Sequence, residues 1–201
     1  MDMALLKIQK WVVLAAILLS GFLVLNFNYF WGNLNFIFSS SKSADPASQT
    51  IVTAERKMEP NTLIIESLDI KAPIIYVNEK KEKVYQAALI NGVVHFPGTV
   101  NPGEFGNVYI FGHSSDYIWS KGKYKRIFAV LPKIKIGAEV RITNVQGNEF
   151  TYVVFDSRKV KANDLSVLSQ GDYKKKLLTL QTSYPIGTAL ARWVVAAEIK
   201  E

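Results

Sequence analysis

Ser183 sits in the run Leu178-Thr179-Leu180-Gln181-Thr182-Ser183-Tyr184-Pro185-Ile186-Gly187-Thr188, nine residues before Arg192, and far upstream lies His113 in Gly112-His113-Ser114. Acyl transfer needs three things: a nucleophile that sheds its proton, a group that protonates the leaving amine, and a fixed donor for the developing oxyanion. The chain has no cysteine, so it offers no disulfide, thiolate metal site or redox motif. A hydroxyl nucleophile, unlike a thiol, requires an adjacent base. Only two imidazoles exist, His95 and His113. Each group also has an inert reading. Ser183 can be a strand-ending residue bonded locally before Pro185, His113 a buried hydrogen-bonded histidine, and Arg192 a strand-edge arginine in a surface ion pair. His95 reads as a packed or loop histidine. The carboxylates are scattered without ligand spacing, so neither a zinc site nor a calcium loop is expected, and no cofactor is implied.

The elements that must position these groups are short β-branched or aromatic runs between turn residues, the pattern of an all-β sandwich or barrel. Strands are predicted over 63–65, 74–77, 92–96, 108–112, 139–144, 150–159, 177–182 and 193–199, with a hairpin turn at Gln146-Gly147-Asn148. Alternation of Phe150, Tyr152 and Val154 with Thr151 and Val153 gives one strand a strongly buried face. Short helices are expected over 83–89, 124–131 and 164–168, the second ended by Pro132.

Ahead of this domain the composition changes. Residues 11–25 are almost unbroken apolar, and Phe27, Tyr29, Phe30 and Trp31 extend the run toward the length of about 20 residues that crosses a bilayer. Lys7 and Lys10 flank its amino-terminal side, which directs that terminus to the cytoplasm and the rest outside. A cleaved signal peptide and a buried soluble helix are the competing readings, although the segment is apolar all round. Residues 39–60 are rich in Ser, Ala, Lys and Glu and lack aromatics, which reads as a flexible tether spanning on the order of 25 Å. The expected organisation is therefore a stub and transmembrane anchor over 1–38, a linker over 39–60 and a folded domain over 61–201. The net charge is +7, of which Lys7, Lys10 and Asp2 leave +1 on residues 1–38. The lysine clusters lack interleaved stacking aromatics, so nucleic acid is not an expected partner.

The runs Gly92-Val93-Val94-His95-Phe96-Pro97-Gly98-Thr99, Asn101-Pro102-Gly103-Glu104-Phe105-Gly106-Asn107 and Val108-Tyr109-Ile110-Phe111-Gly112-His113-Ser114, followed by the Ser183 run and Arg192-Trp193-Val194-Val195, resemble the sortase family over roughly residues 61–199. In that family the signature reads Thr-Leu-x-Thr-Cys, and here Ser183 stands at the cysteine. The resemblance implies a closed sortase-type β-barrel of about eight strands with a few short helices, preceded by one transmembrane helix. It implies a membrane-anchored transpeptidase that cuts a Leu-Pro-x-Thr-Gly type sorting signal between Thr and Gly and passes the acyl group to an amine. By resemblance Ser183 is the nucleophile, His113 the acid/base and Arg192 the oxyanion donor. From its position alone, three residues past His113, Asp116 reads either as an acid orienting His113 or as a solvated turn residue. The implied partners are surface proteins carrying the signal, an amine acceptor of cell wall or pilin, and the membrane. The serine leaves three readings open: a working nucleophile, a native module that binds signals without cutting them, or a cysteine-to-serine replacement in an enzyme.

Overall fold

The computed structural model describes residues 12, 13, 20, 59–116 and 122–200. By internal packing the chain divides into Met1–Ala54 and Glu55–Glu201. The predicted span at residues 11–31 lies outside the described residues apart from Val12, Val13 and Ser20, which are helical. Among the described residues no helix is long and apolar enough to cross a membrane.

Within the second unit, eight strands close into a barrel: β1 (Thr62–Ile65), β2 (Ile70–Tyr76), β3 (Val93–His95), β4 (Gly106–Phe111), β5 (Glu139–Thr143), β6 (Glu149–Lys161), β7 (Lys176–Tyr184) and β8 (Ala191–Ile199). Their order around it is β1-β2-β3-β4-β7-β8-β6-β5, with β5 pairing back to β1. Only β2–β3 and β4–β7 pair parallel. Strands β1, β4, β6 and β7 therefore run one way and the other four run back. The ends of β4 and β7 share one rim, and the starts of β1, β4 and β7 share the other.

Side chains alternate across each strand, and the inward set makes the core: Leu63, Ile65, Val108, Ile110, Val140, Ile142, Tyr152, Leu178, Leu180 and Val195 are all buried. Tyr152 closes the interior with its hydroxyl accepting the Gly103 N–H at 3.0 Å. Gly92 permits a close crossing, since a Cβ there would lie 2.2 Å from the Pro73 carbonyl oxygen.

All eight expected strands are present, but β2 begins four residues earlier than its pattern predicts. Ile70, Ala72 and Ile74 alternate inward, and Pro73 is accommodated opposite Thr62 of β1 before the pairing with β3 begins at Ile74. An α-helix, α1 (Glu82–Leu89), stands where 83–89 was expected. The helix expected over 124–131 is instead a series of turns running into a 3-10 turn at Leu131–Lys133. The Phe128 N–H bonds the His113 carbonyl at 2.9 Å and so does not serve a helical ladder. Of the helix expected over 164–168, a 3-10 turn, Ser166–Leu168, forms.

Candidate active site

Pairing fixes which side chains share a face. Phe111 of β4 pairs with Gln181 of β7, and Gln181 with Val194 of β8. One step toward the rim, Ser183 pairs with Arg192. His113 lies two residues past the end of β4. The Gly112 N–H still bonds the Gln181 carbonyl at 3.1 Å, so the parallel register carries on and brings His113 level with Ser183. His113, Ser183 and Arg192 thus occupy neighbouring lanes, about 4.8 Å apart in a sheet, at one level of the barrel's outer face. All three are half-buried.

Three bonds hold the backbone at His113. Besides the Gly112 N–H, the Thr182 hydroxyl donates to the Gly112 carbonyl at 2.8 Å, and the Phe128 N–H donates to the carbonyl of His113 itself. Gly112 has to lack a side chain, because a Cβ would stand 2.7 Å from Phe128 Cδ2. One residue past Ser114, the Ser115 hydroxyl accepts the Gly187 N–H at 3.0 Å and ties this loop to the β7–β8 turn.

Burial pushes the His113 imidazole below its usual range, and the charges of Asp116 and Glu82 pull it part of the way back. The net shift favours the uncharged ring, the form a base requires. The Ser183 hydroxyl has no hydrogen-bond partner among the described residues. Arg192 Nη1 donates to the Ala189 and Ala191 carbonyls, each at 3.0 Å, which fixes the guanidinium on the β7–β8 turn and leaves its Nε and Nη2 donors uncommitted among the described residues.

Below this row the outer face is apolar. Tyr109, Val167 and Val194 form a buried cluster, with Phe96, Phe111, Val160 and Leu168 packed against it. α1 covers the neighbouring side, where Ala88 and Leu89 pack on Val94 and Tyr85 meets Phe111 edge-on at 5.2 Å. Burial lifts the Tyr109 phenol well above its usual range against the opposing charge of Arg192, and its hydroxyl donates to Gln181 Oε1. Asn107, itself buried, anchors the β6–β7 connection. Its Nδ2 donates to the Val167 and Ser169 carbonyls, both at 3.1 Å, and its Oδ1 accepts the Thr179 hydroxyl at 2.9 Å.

Thr182, Glu82 and Asn107 were not singled out in the sequence. The available signals were the place of Thr182 in the signature run, with the parity of the inward residues Leu178 and Leu180, and the place of Asn107 in the run 101–107. His95 is elsewhere: it is buried, stacks on Tyr76 at 4.8 Å, and donates from Nε2 to the Val100 carbonyl at 2.9 Å. Among the described residues no cluster of three or more His, Asp or Glu side chains is placed to hold a metal ion.

A sortase-domain family model matches residues 63–200. The chain belongs to the sortase family. Solved sortases share the fold. A sortase D5 transpeptidase from Clostridium perfringens aligns at a TM-score of 0.57 and 25% identity, covering 70% of this chain and 78% of that one. A lid mutant of sortase A from Corynebacterium diphtheriae aligns at 0.58 and 26%, covering 74% of each. Sortase C1 from Streptococcus suis aligns at 0.59 and 21%, covering 71% and 73%, a likeness of fold. Comparison with curated proteins found no match. Sortase family members are transpeptidases, acting on sorting-signal proteins and amine acceptors.

Proposed function

We propose that this sortase is a transpeptidase that cuts a Leu-Pro-x-Thr-Gly type signal between Thr and Gly and transfers the acyl group to an amine of cell wall or pilin. The observation that carries the reading is the common level of His113, Ser183 and Arg192 across β4, β7 and β8. In the first half-reaction Ser183 Oγ attacks the threonyl carbonyl carbon while His113 takes the hydroxyl proton. The carbonyl oxygen becomes an oxyanion, which the Arg192 guanidinium stabilises. Collapse breaks the C–N bond, His113 returns the proton to the leaving glycyl amine, and a Ser183 ester remains. In the second half-reaction an incoming amine attacks the ester and gives a proton to His113, which passes it to Ser183 Oγ as the ester bond breaks. The apolar face beneath the row, where Phe111, Val160 and Leu168 are partly exposed over buried Val167 and Val194, suits the leucine of the signal. In this reading the anchor within residues 1–38 holds the domain on the outer face of the cytoplasmic membrane.

A second reading, a signal-binding module without turnover, draws support from the serine itself, since a site built for a thiol loses nucleophilicity when oxygen replaces sulfur. Intact-mass spectrometry of the full chain in detergent, with sorting-signal peptides and an amine acceptor, separates the two. An acyl adduct on the native protein that Ser183→Ala abolishes supports the serine transpeptidase. Peptide binding with adduct only in Ser183→Cys supports the binding module. Neither binding nor adduct in either form refutes both.

A further inference from the structure

The barrel end opposite the catalytic row is built unlike a plain solvated rim. Phe105 is 57% exposed and Tyr173 59% exposed, and Tyr173 lies against the backbone of Gly106, the residue after Phe105, where a Cβ would meet Tyr173 Cδ1 at 3.1 Å. Lys176 Nζ lies 4.9 Å from the centroid of the Phe105 ring. Three consecutive residues, Gly171, Asp172 and Tyr173, take left-handed backbone with φ of 60°, 54° and 55°. That conformation is unfavourable for the two that carry side chains, and the second of them, Tyr173, is exposed. Lys175 is paired with Glu198 at 2.9 Å, whereas Lys174 and Lys176 have no acidic partner among the described residues. On the same rim the β5–β6 turn presents Val145, 64% exposed.

This is also the end from which the chain leaves toward residues 1–54. β1 starts here, and the segment before it is tied down by the Thr143 hydroxyl donating to the Glu59 carbonyl at 2.5 Å and by the Asn61 N–H donating to the Asn144 carbonyl at 3.1 Å. The apolar run at 11–25 and its aromatic extension lie upstream of that exit. Exposed aromatic rings with unpaired lysines form the combination that settles at a headgroup layer, the rings in the interface and the ammonium groups on anionic phosphates.

We propose that this end of the barrel docks on an anionic lipid surface through Phe105, Tyr173, Lys174 and Lys176, so that the catalytic row faces away from the bilayer. The proposal needs the upstream segment to hold the chain at a membrane. It does not depend on Ser183 reacting.

Because the chain has no cysteine, single nitroxide labels are unambiguous. The full chain is reconstituted into vesicles of zwitterionic lipid alone or with phosphatidylglycerol, labelled at Phe105→Cys, Tyr173→Cys or, on the opposite rim, Leu190→Cys. Access of each label to oxygen and to an aqueous nickel chelate is then read by spin resonance. The expected result is a several-fold rise in the oxygen-to-nickel ratio at positions 105 and 173 when anionic lipid is present, none at 190, and partial reversal by Lys174→Gln with Lys176→Gln or by high salt. Labels at 105 and 173 that stay as aqueous as the one at 190 overturn the proposal. Spin–spin broadening at 105 and 173 without lipid access overturns it in favour of a second copy on this face. Failure of the chain to remain with the vesicles removes its premise and likewise overturns it.

Discussion

Replacing Thr182 by valine keeps the shape of a residue that is only 2% exposed and removes the donor that reaches the Gly112 carbonyl at 2.8 Å. The Gly112 carbonyl is buried with it, so the loss includes the hydrogen bond and the desolvation of an acceptor left without that partner, together about 1–3 kcal/mol. For a domain of this size that lowers the melting temperature by roughly 3–9 °C, at about 3 °C per kcal/mol. Thr179→Val is the matched control. Thr179 is 5% exposed, and its hydroxyl is bonded at 2.9 Å to Asn107 on the same strand pair, but four residues from Ser183. Both variants should melt lower by similar amounts. Only Thr182→Val releases one of the three restraints on the His113 backbone, and a loosened catalytic group costs on the order of tenfold in rate, or about 1.4 kcal/mol of barrier. The two histidines give a simple imidazole spectrum, so proton–nitrogen NMR can follow each ring through a pH titration beside the acylation rate. The expected outcome is a changed His113 titration and a slower acylation in Thr182→Val, with Thr179→Val unchanged in both. Equal titrations and equal rates in the two variants, measured well below their melting temperatures, would refute the claim that this hydroxyl positions His113.

The acidic limb of the acylation profile should lie below the ordinary imidazole range, because burial depresses His113 while Asp116 and Glu82 oppose the shift; Glu82→Gln or Asp116→Asn should move the limb to lower pH still, read as rate against pH. His95 is also depressed by burial, and a histidine whose folded value lies below its unfolded one gives the unfolded chain the greater proton uptake. Stability is therefore full above about pH 6.5 and falls as the pH drops through the folded values, which thermal melts from pH 8 to 5 would register. Gly112→Ala should destabilise the domain by about 1–3 kcal/mol through overpacking against Phe128, and Phe128→Leu should recover part of that loss in denaturant melts. Arg192→Lys should lose acylation rate by about 100-fold or more, the cost of an oxyanion donor, since one ammonium cannot bond the Ala189 and Ala191 carbonyls and still present a fixed fork.

Strand content was legible because the barrel's inward residues alternate: in β6, Tyr152 and Val154 are buried and Phe150, two residues before, is half-buried on the same face. The start of β2 was hidden because Pro73 interrupts a run that pairs on only one side at that point. The segment at 124–131 has the apolar spacing of a short helix, yet the Phe128 N–H goes to His113, a partner outside the segment. Local pattern cannot reveal that exchange. The same limit applied to the site. Ser183 and Arg192 are joined by one hairpin, so their pairing follows from a short turn, whereas the level of His113 is set by β4–β7 register between strands far apart in sequence. Thr182, though it stands in the signature run, and Asn107 give no sign in the sequence of the partners they bond, 70 and 60 positions away.

The parallel β4–β7 seam has a further bearing on how the chain becomes competent. Gly112 and Thr182 are 70 residues apart, and closing a loop of that length costs about 4 kcal/mol by chain entropy alone. Long-range parallel pairing of this kind is won late, once neighbouring strands already reward it. Before that, the imidazole belongs to a piece of chain separate from the hairpin that carries the hydroxyl and the guanidinium. On the proposed mechanism a partly folded copy therefore has no assembled site, and acyl transfer has to await the completion of the barrel.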